Sequence, residues 1–252
     1  MMEKTPLTMT PEPAGKERNY QRIAIPLSII VREILEIGVP ENIITDWKIF
    51  GRAVYIIDHE LDEIINTYER KDFQKKLEDF LGGKEENFSN EDVQKAMLEI
   101  RRLSNNLEPD QRIFLTNSLL RVLRITEEMK LEENPKKLVI LNRLEGQAFA
   151  KSFLAFLPYE FRQNDRYKKL LHSLTRLGRV ANSLDSFLDM PTDYSNRKIR
   201  ISPLFVNRIL FVSAILSDSF EFFKNTNLPP DLIKQLWSNL KANKRDSKNN
   251  EL

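Results

Sequence analysis

The sequence predicts an all-α protein, built as a single bundle of about eight helices. Apolar residues recur at three- and four-residue steps along most of the chain, which is the repeat of a helix with one buried face. No window shows the sustained alternation of apolar and polar residues that is typical of a strand. Only 7 of the 252 residues are glycine, which disfavours a turn-rich β architecture. No fixed-period repeat is present, so one bundle is favoured over a helical solenoid.

Prolines and capping residues mark where the helices begin and end. Pro40 suits a first turn, where its missing N–H costs nothing, and Ser89 with Asp92 indicates a capping box. Pro158 is expected to end a helix, and Pro191 to prevent smooth continuation of another. These marks predict helices over about residues 20–38, 41–70, 72–83, 91–107, 109–133, 135–157 and 164–188, and two more that begin near residues 203 and 229.

Composition limits the functions that the chain can have. Hydrophobic residues make up 41% and charged residues 30%, which is typical of a globular protein with one sizeable core. The 39 basic and 37 acidic residues give a formal net charge of +2, so electrostatics offers no reason to expect nucleic acid as a partner. Cysteine is absent, which excludes disulfides, thiolate metal sites and cysteine nucleophiles.

The two ends of the chain have the composition of tails around one domain. Residues 1–19 are polar, contain proline and lack the apolar core of a signal peptide. Flexible tails are therefore expected over residues 1–19 and 242–252, with a helical domain over residues 20–241. The most apolar stretch, residues 201–223, is interrupted by charges and favours a buried core helix over a membrane span. A cytoplasmic protein is the simplest expectation.

Two columns of oxygen-bearing side chains, written in the same spacing, are the main functional signal. The first comprises Asp58, Asp62 and Asn66, and Glu63 adjoins Asp62. Steps of four residues return a helix to nearly the same face about 6 Å further along. Apolar residues surround this column, where unpaired carboxylates are costly to bury. The alternative is an acidic helix face exposed to solvent.

The second column comprises Asp185, Asp189 and Asp193. Two such columns facing each other would chelate divalent cations such as Mg²⁺, which takes oxygen ligands and bridges to substrate phosphates. The basic residues Arg197 and Lys198 follow the column and could bind the same diphosphate. The alternative is the last turn of a helix followed by a charged surface loop.

The first column and its flanks resemble the first motif of the squalene/phytoene synthase branch of the class I isoprenoid synthases. That motif reads roughly Tyr-Ala-Phe-x-Arg-x-x-Asp-Asp/Glu-x-x-Asp. In this chain Tyr55 takes the tyrosine position, and Asp62-Glu63 takes the acidic pair. Asn66 stands where the family has its last aspartate, and His59 replaces the arginine.

The second column resembles the family's second motif, which reads roughly Gln-Leu-x-Asn-Ile-x-Arg-Asp-x-x-Glu-Asp and is followed by Gly-Arg. Asn182 falls at the glutamine and Asp185 at the asparagine. Asp189 and Asp193 fall at the two aspartates, and Thr192 stands where the family has glutamate. The recognisable likeness covers roughly a third of the chain, in these two regions.

The resemblance implies an isoprenoid synthase-like bundle around an apolar cavity, with Mg²⁺ between the two motifs. In that family diphosphate leaves an allylic prenyl chain, and the carbocation condenses with a second prenyl diphosphate or cyclises. Asp62 and Asp189 would have catalytic roles. Metal ligands would come from Asp58, Asp62, Glu63, Asn66, Asp185, Asp189 and Asp193, and diphosphate would be bound by Arg197, Lys198, Arg143 and Lys151. The substrate channel would include Tyr55, Phe149, Phe153 and Asn182.

Several of these assignments have a plainer alternative. Arg143 and Lys151 could be solvated surface residues, and Phe149 and Phe153 could be ordinary core aromatics. The leading hypothesis is a Mg²⁺-dependent synthase with a prenyl diphosphate substrate, whose lipid product would bring the protein into peripheral contact with a membrane. A non-catalytic relative that binds a prenyl lipid or a protein partner is the second hypothesis, favoured by the departures from the family motifs at Asn66, Thr192, Leu188 and His59. An unrelated helical adaptor with accidental acidic columns is the third.

Overall fold

The computed structural model describes residues 23–64 and 66–226, and within them every regular element is helical. The elements are α1 (Ala24–Leu35), α2 (Glu41–Glu63), α3 (Thr67–Leu81), α4 (Glu91–Asn105), α5 (Pro109–Leu131), α6 (Pro135–Ser152), a 3-10 segment (Phe153–Phe156), α7 (Tyr159–Arg162), α8 (Tyr167–Ser195) and α9 (Phe205–Thr226). The all-α class predicted from the sequence is confirmed. The two expected tails and the helix expected near residue 229 lie outside the described residues.

The helix predicted from Glu41 to Arg70 is in fact two helices. Helix α2 ends at Glu63, and Asn66 is the N-cap of α3. The Asn66 side chain accepts hydrogen bonds from the backbone N–H groups of Tyr68 (2.9 Å) and Glu69 (3.4 Å). Asparagine is a favoured N-cap because its side-chain oxygen reaches the unpaired N–H groups of the first helical turn. The prediction of one continuous helix through Asn66 is therefore wrong.

Helix α8 continues through Pro191, where the sequence predicted an interruption. The helix extends to Ser195, seven residues beyond the predicted end at Leu188. A proline inside a helix removes one N–H donor and crowds the preceding turn. Because Pro191 lies in the last turns of α8, few helical hydrogen bonds are affected. Asn196 N–H still donates to the Thr192 carbonyl at 2.9 Å.

Two smaller boundaries also differ from the predictions. The N-cap of α4 is Asn90, which accepts hydrogen bonds from the backbone of Asp92, and the predicted cap Ser89 precedes it. The helix predicted over residues 135–157 remains α-helical only to Ser152. It then narrows into the 3-10 segment before Pro158. Caps and final turns are decided by local hydrogen bonds that the apolar pattern does not encode.

The main core lies between α1, α2, α4 and the 3-10 segment. Trp47 and Phe50 of α2 are fully buried in it. The Trp47 indole N–H donates to the Phe153 carbonyl at 2.9 Å, and the Phe50 ring meets the Phe153 ring edge to face at 5.1 Å. Burying each such aromatic side chain stabilises the fold by about 2–3 kcal/mol. These contacts fix the position of α2.

Helix α9 differs from the buried core helix that the apolar stretch predicted. One face is buried and includes Phe211 and Phe222. The opposite face is exposed, with Phe205 at 80%, Leu216 at 65% and Phe220 at 67% of their full accessible areas. The stretch is apolar on both faces, so hydrophobicity alone could not identify the buried one.

Helices α6 and α8 cross at a contact that only glycine permits. A Cβ atom added to Gly146 would lie 2.2 Å from the carbonyl oxygen of Gly178. A Cβ atom added to Gly178 would lie 2.2 Å from the carbonyl oxygen of Gly146. Real Cβ atoms do not approach oxygen so closely, so any other residue would push the helices apart. The crossing brings α6 and α8 together, and Asn182 Nδ2 donates to the Asn142 carbonyl at 2.8 Å.

Candidate functional site

An open cleft of about 190 Å³ lies between α2, α5, α6 and α8. Its charged lining comprises five carboxylates and two ammonium groups, from Asp58, Asp62, Glu145, Asp185, Asp193, Lys130 and Lys198. Its apolar lining includes Val54, Leu138, Phe149, Met190 and Phe211. We call this site the acidic cleft. Residues from both sequence columns therefore meet at one place, with an apolar wall beside them.

Asp58 of α2 is a carboxylate whose pKa is raised strongly by its place in the acidic cleft. Its side chain is exposed to the open cleft, and the walls of the cleft lie beside its carboxylate. This partial removal from water, followed by repulsion from Asp62, Glu145 and Asp185, raises the pKa of Asp58 from 3.8 to about 7. Lys130 opposes the shift. Like charges gathered in a cleft are a common property of functional sites, although structural networks can produce the same shifts.

Asp62 is held between two lysines. Lys130 Nζ lies 3.2 Å from Oδ1 of Asp62, and Lys198 Nζ donates to Oδ2 at 3.1 Å. Burial lowers the pKa of Lys198, but attraction to Asp62 outweighs burial and raises that pKa above its ordinary value. The sequence motif predicted Lys198 near the metal site. It gave no indication of Lys130, which comes from α5.

Glu145 is a second residue that the motifs did not identify as part of the site. Its carboxylate accepts hydrogen bonds from the Thr126 hydroxyl and from Asn182 Nδ2, the latter at 2.8 Å. Burial raises the pKa of Glu145, and the two hydrogen bonds oppose that shift. The available signal was a pair of polar residues, Asn142 and Glu145, that interrupts an apolar run on α6.

The acidic residues predicted as ligands are only partly brought together. Asp58, Asp62, Asp185 and Asp193 line the cleft. The others do not line it: Asp189 is half-buried outside the lining, Glu63 is exposed at the end of α2, and Asn66 is exposed as the cap of α3. Of the two residues predicted to be catalytic, Asp62 therefore lines the cleft and Asp189 does not.

Of the residues predicted to line a substrate channel or to bind diphosphate, some line the cleft and others lie outside it. Asn182 and Phe149 line the cleft. Phe153 is buried in the main core and does not line the cleft. Tyr55 lies outside the lining, with its ring stacked on that of His59 at 5.9 Å, and Arg197 is exposed beyond the end of α8.

Arg143 and Lys151, both predicted to bind diphosphate, project from another face of α6. Arg143 donates to the carboxylate of Asp218 from Nε at 2.7 Å and from Nη2 at 2.9 Å. Arg176 of α8 donates to the same carboxylate at 2.6 Å. Burial alone would raise the pKa of Asp218, but the hydrogen bonds of the two arginines outweigh it and lower that pKa. Arg143 thus joins α6 to α9 and does not face the acidic cleft.

No family model, curated protein or solved structure matches the chain. Over residues 23–64 and 66–226, no helix is both long and apolar enough to cross a membrane. In the same residues, no three histidine or carboxylate groups converge closely enough to hold one metal ion by themselves. A functional interpretation therefore depends on the two motifs and on the composition of the acidic cleft.

Proposed function

We propose that the protein is a Mg²⁺-dependent synthase that acts on a prenyl diphosphate. The reaction would begin with departure of diphosphate from an allylic carbon and end with condensation or cyclisation of the prenyl cation. One observation carries the proposal: carboxylates from both motif helices line one cleft that also has an apolar wall. That combination suits a substrate with a charged head and a hydrocarbon chain.

The carboxylates of the cleft are suited to Mg²⁺. Asp58 and Asp62 of α2 would hold ions on one side, and Asp185 and Asp193 of α8 on the other. Mg²⁺ is commonly held by one or two carboxylates, with waters and phosphate oxygens completing its shell, so a convergence of three protein ligands is not required. The mutual repulsion that raises the pKa of Asp58 would be relieved by a cation. When bound, Mg²⁺ would supply positive charge to the departing diphosphate.

The other lining residues would bind and enclose the substrate. Lys198 and Lys130 lie beside Asp62 and would donate to phosphate oxygens once the head group occupies the cleft. Phe149 and Met190, on the apolar wall, would contact the prenyl chain and exclude water from the cation. Asn182 holds Glu145 in place through its 2.8 Å hydrogen bond.

A non-catalytic relative that binds a prenyl lipid or a protein partner is the alternative function. The observation that favours it concerns Asp62 and Asn66. Asp62 already contacts two ammonium groups, and the oxygen of Asn66 is used to cap α3. Both contacts compete with metal binding. Under this alternative, ligand would bind in the cleft without release of diphosphate.

The direct test is release of diphosphate from labelled farnesyl and geranylgeranyl diphosphate in the presence of Mg²⁺. We expect release by the wild-type protein and at least a tenfold lower rate for Asp185→Asn. Glu63→Gln is the matched control, because Glu63 is exposed and does not line the cleft. Substrate binding without release by intact protein would favour the non-catalytic alternative. If intact protein neither binds the substrate nor releases diphosphate, both functions are contradicted.

A further inference from the structure

A group of basic side chains lies on the face of α6 that is turned away from the acidic cleft. On α6, Arg143, Gln147 and Lys151 follow one another in four-residue steps, which places them on one stripe of the helix. Arg179 of α8 donates to the Gln147 side chain at 3.1 Å from Nε. We define the basic cluster as Arg121, Arg143, Lys151, Arg176 and Arg179.

The basic cluster carries more positive charge than its carboxylates neutralise. Asp218 is fully buried and contacts three of the arginines, the most distant being Arg179 at 3.9 Å. The next carboxylate along α9, Glu221, makes a polar interaction of its own. Even if both carboxylates are counted against the five cations, the cluster retains a net positive charge.

The arginines also keep hydrogen-bond donors that Asp218 does not use. A guanidinium carries five N–H groups in a planar fork. Arg143 directs two nitrogens, and Arg176 one, at the carboxylate. The buried Nε of Arg176 has no acceptor among the described residues. The side chains of Arg143, Arg176 and Arg179 remain 27%, 21% and 21% exposed, so their outer N–H groups can be reached from solvent.

The cations of the cluster repel one another. Burial first, and then the charges of Arg121 and Arg179, lower the pKa of Lys151. Burial is also the main cause of the lowered pKa of Arg179, and repulsion from Arg143 and Arg176 adds to it. A bound anion would relieve this repulsion.

We propose that the basic cluster binds a phosphate-bearing anion, without a metal ion, at a site separate from the acidic cleft. Arginine forks match the spacing of phosphate oxygens and bind them through pairs of charge-assisted hydrogen bonds. The phosphate could belong to a soluble diphosphate or to a lipid head group, since both present the same oxygens. The proposal does not depend on catalysis in the acidic cleft.

The test is a calorimetric titration of metal-free protein with inorganic diphosphate, in buffer that contains a chelator. The informative variant is Lys151→Gln combined with Arg179→Gln, because neither side chain donates a hydrogen bond to Asp218. The matched control is Lys76→Gln combined with Lys95→Gln, which removes the same charge from exposed positions on α3 and α4. We expect saturable binding by the wild-type protein and the control, and at least tenfold weaker binding by the cluster variant.

Two further measurements complete the test. Asp185→Asn should leave metal-free diphosphate binding unchanged, which separates the cluster from the proposed active site. Sedimentation with phosphatidylglycerol vesicles, compared with phosphatidylcholine vesicles, distinguishes a lipid head group from a soluble ligand. The proposal is overturned if folded wild-type protein shows no saturable binding of either kind. An equal loss in the control variant would also overturn it, because it would indicate non-specific attraction.

Discussion

Asp218 in the basic cluster is fully buried and Asp58 is exposed in the open acidic cleft, and their pKa values shift in opposite directions. Hydrogen bonds from Arg143 and Arg176 outweigh burial at Asp218 and lower its pKa. At Asp58, burial and three neighbouring carboxylates act together and raise the pKa to about 7. Helix α6 separates the two regions. The comparison teaches that the neighbours of a carboxylate, more than its depth, decide whether its charge is stabilised.

The largest expected effect comes from removing the charge of Asp218, the carboxylate that contacts three arginines of the basic cluster. Asp218→Asn would leave three arginines around a buried neutral group, and breaking a buried ion pair on one side costs roughly 3–5 kcal/mol. Urea unfolding at pH 7 measures this loss. Asp72→Asn is the control, because Asp72 makes an exposed ion pair with Lys76 and should change stability by less than about 1 kcal/mol. Equal effects of the two changes would show that the cluster is energetically unimportant.

A substitution at the crossing of α6 and α8 should disturb the acidic cleft and the basic cluster together, because both are built on these two helices. Gly146→Ala would place a methyl group 2.2 Å from the Gly178 carbonyl oxygen and should destabilise the fold by about 1–3 kcal/mol, as overpacking does. Gly38→Ala is the control, since nothing lies within 4 Å of its added Cβ. Thermal unfolding measures both changes. If Gly146→Ala is as stable as Gly38→Ala, the close helix crossing is not required.

The rise in melting temperature caused by a ligand distinguishes the acidic cleft from the basic cluster, because it can be measured on variants that remain folded. Mg²⁺ with inorganic diphosphate should raise the melting temperature, and at ten times the dissociation constant the stabilisation is about 1.4 kcal/mol. Asp185→Asn should lose this Mg²⁺-dependent gain. The Lys151→Gln, Arg179→Gln double variant should keep it, because its side chains are not part of the cleft. Diphosphate alone, without Mg²⁺, is the reference for this gain, and a Mg²⁺-dependent gain that survives in Asp185→Asn would place metal binding elsewhere.

The smallest expected effect is the pH dependence that Asp58 contributes, because its side chain is exposed in the open cleft and solvent screens its charge. Its pKa is about 7 in the folded protein and near 3.8 when unfolded, so the folded state binds the proton more tightly. Stability from this group is therefore lost as the pH rises from about 4 to about 7. Asp58→Asn should make the metal-free protein more stable at pH 8, relative to wild type, than at pH 4. Melting temperatures of both proteins between pH 4 and pH 8 test this direction. A difference between variant and wild type that does not change with pH would contradict the raised pKa of Asp58.

Helical spacing was enough to predict that Asp58 and Asp62 lie on one face of a helix, but not which residues of the second column line the cleft. Asp58 and Asp62 share a face because that relation depends only on the local helix. Lys130 and Glu145 were not predicted, since their approach depends on how α5 and α6 pack against α2. Asn66 was assigned wrongly to α2 because the apolar residues Ile64 and Ile65 continue the helical pattern up to it, although asparagine is favoured at an N-cap and not inside a helix.

The glycine contact between α6 and α8 has a consequence for how the cleft could adapt to a ligand. Helices that touch backbone to backbone at Gly146 and Gly178 leave little room for sliding, so they form a rigid wall. Helix α2 is anchored in its first half through the buried side chains of Trp47 and Phe50. Asp58 and Asp62 lie in its last turns, close to the end of the helix at Glu63. Adjustment of the cleft to a ligand should therefore come from this end of α2 and not from α6 or α8.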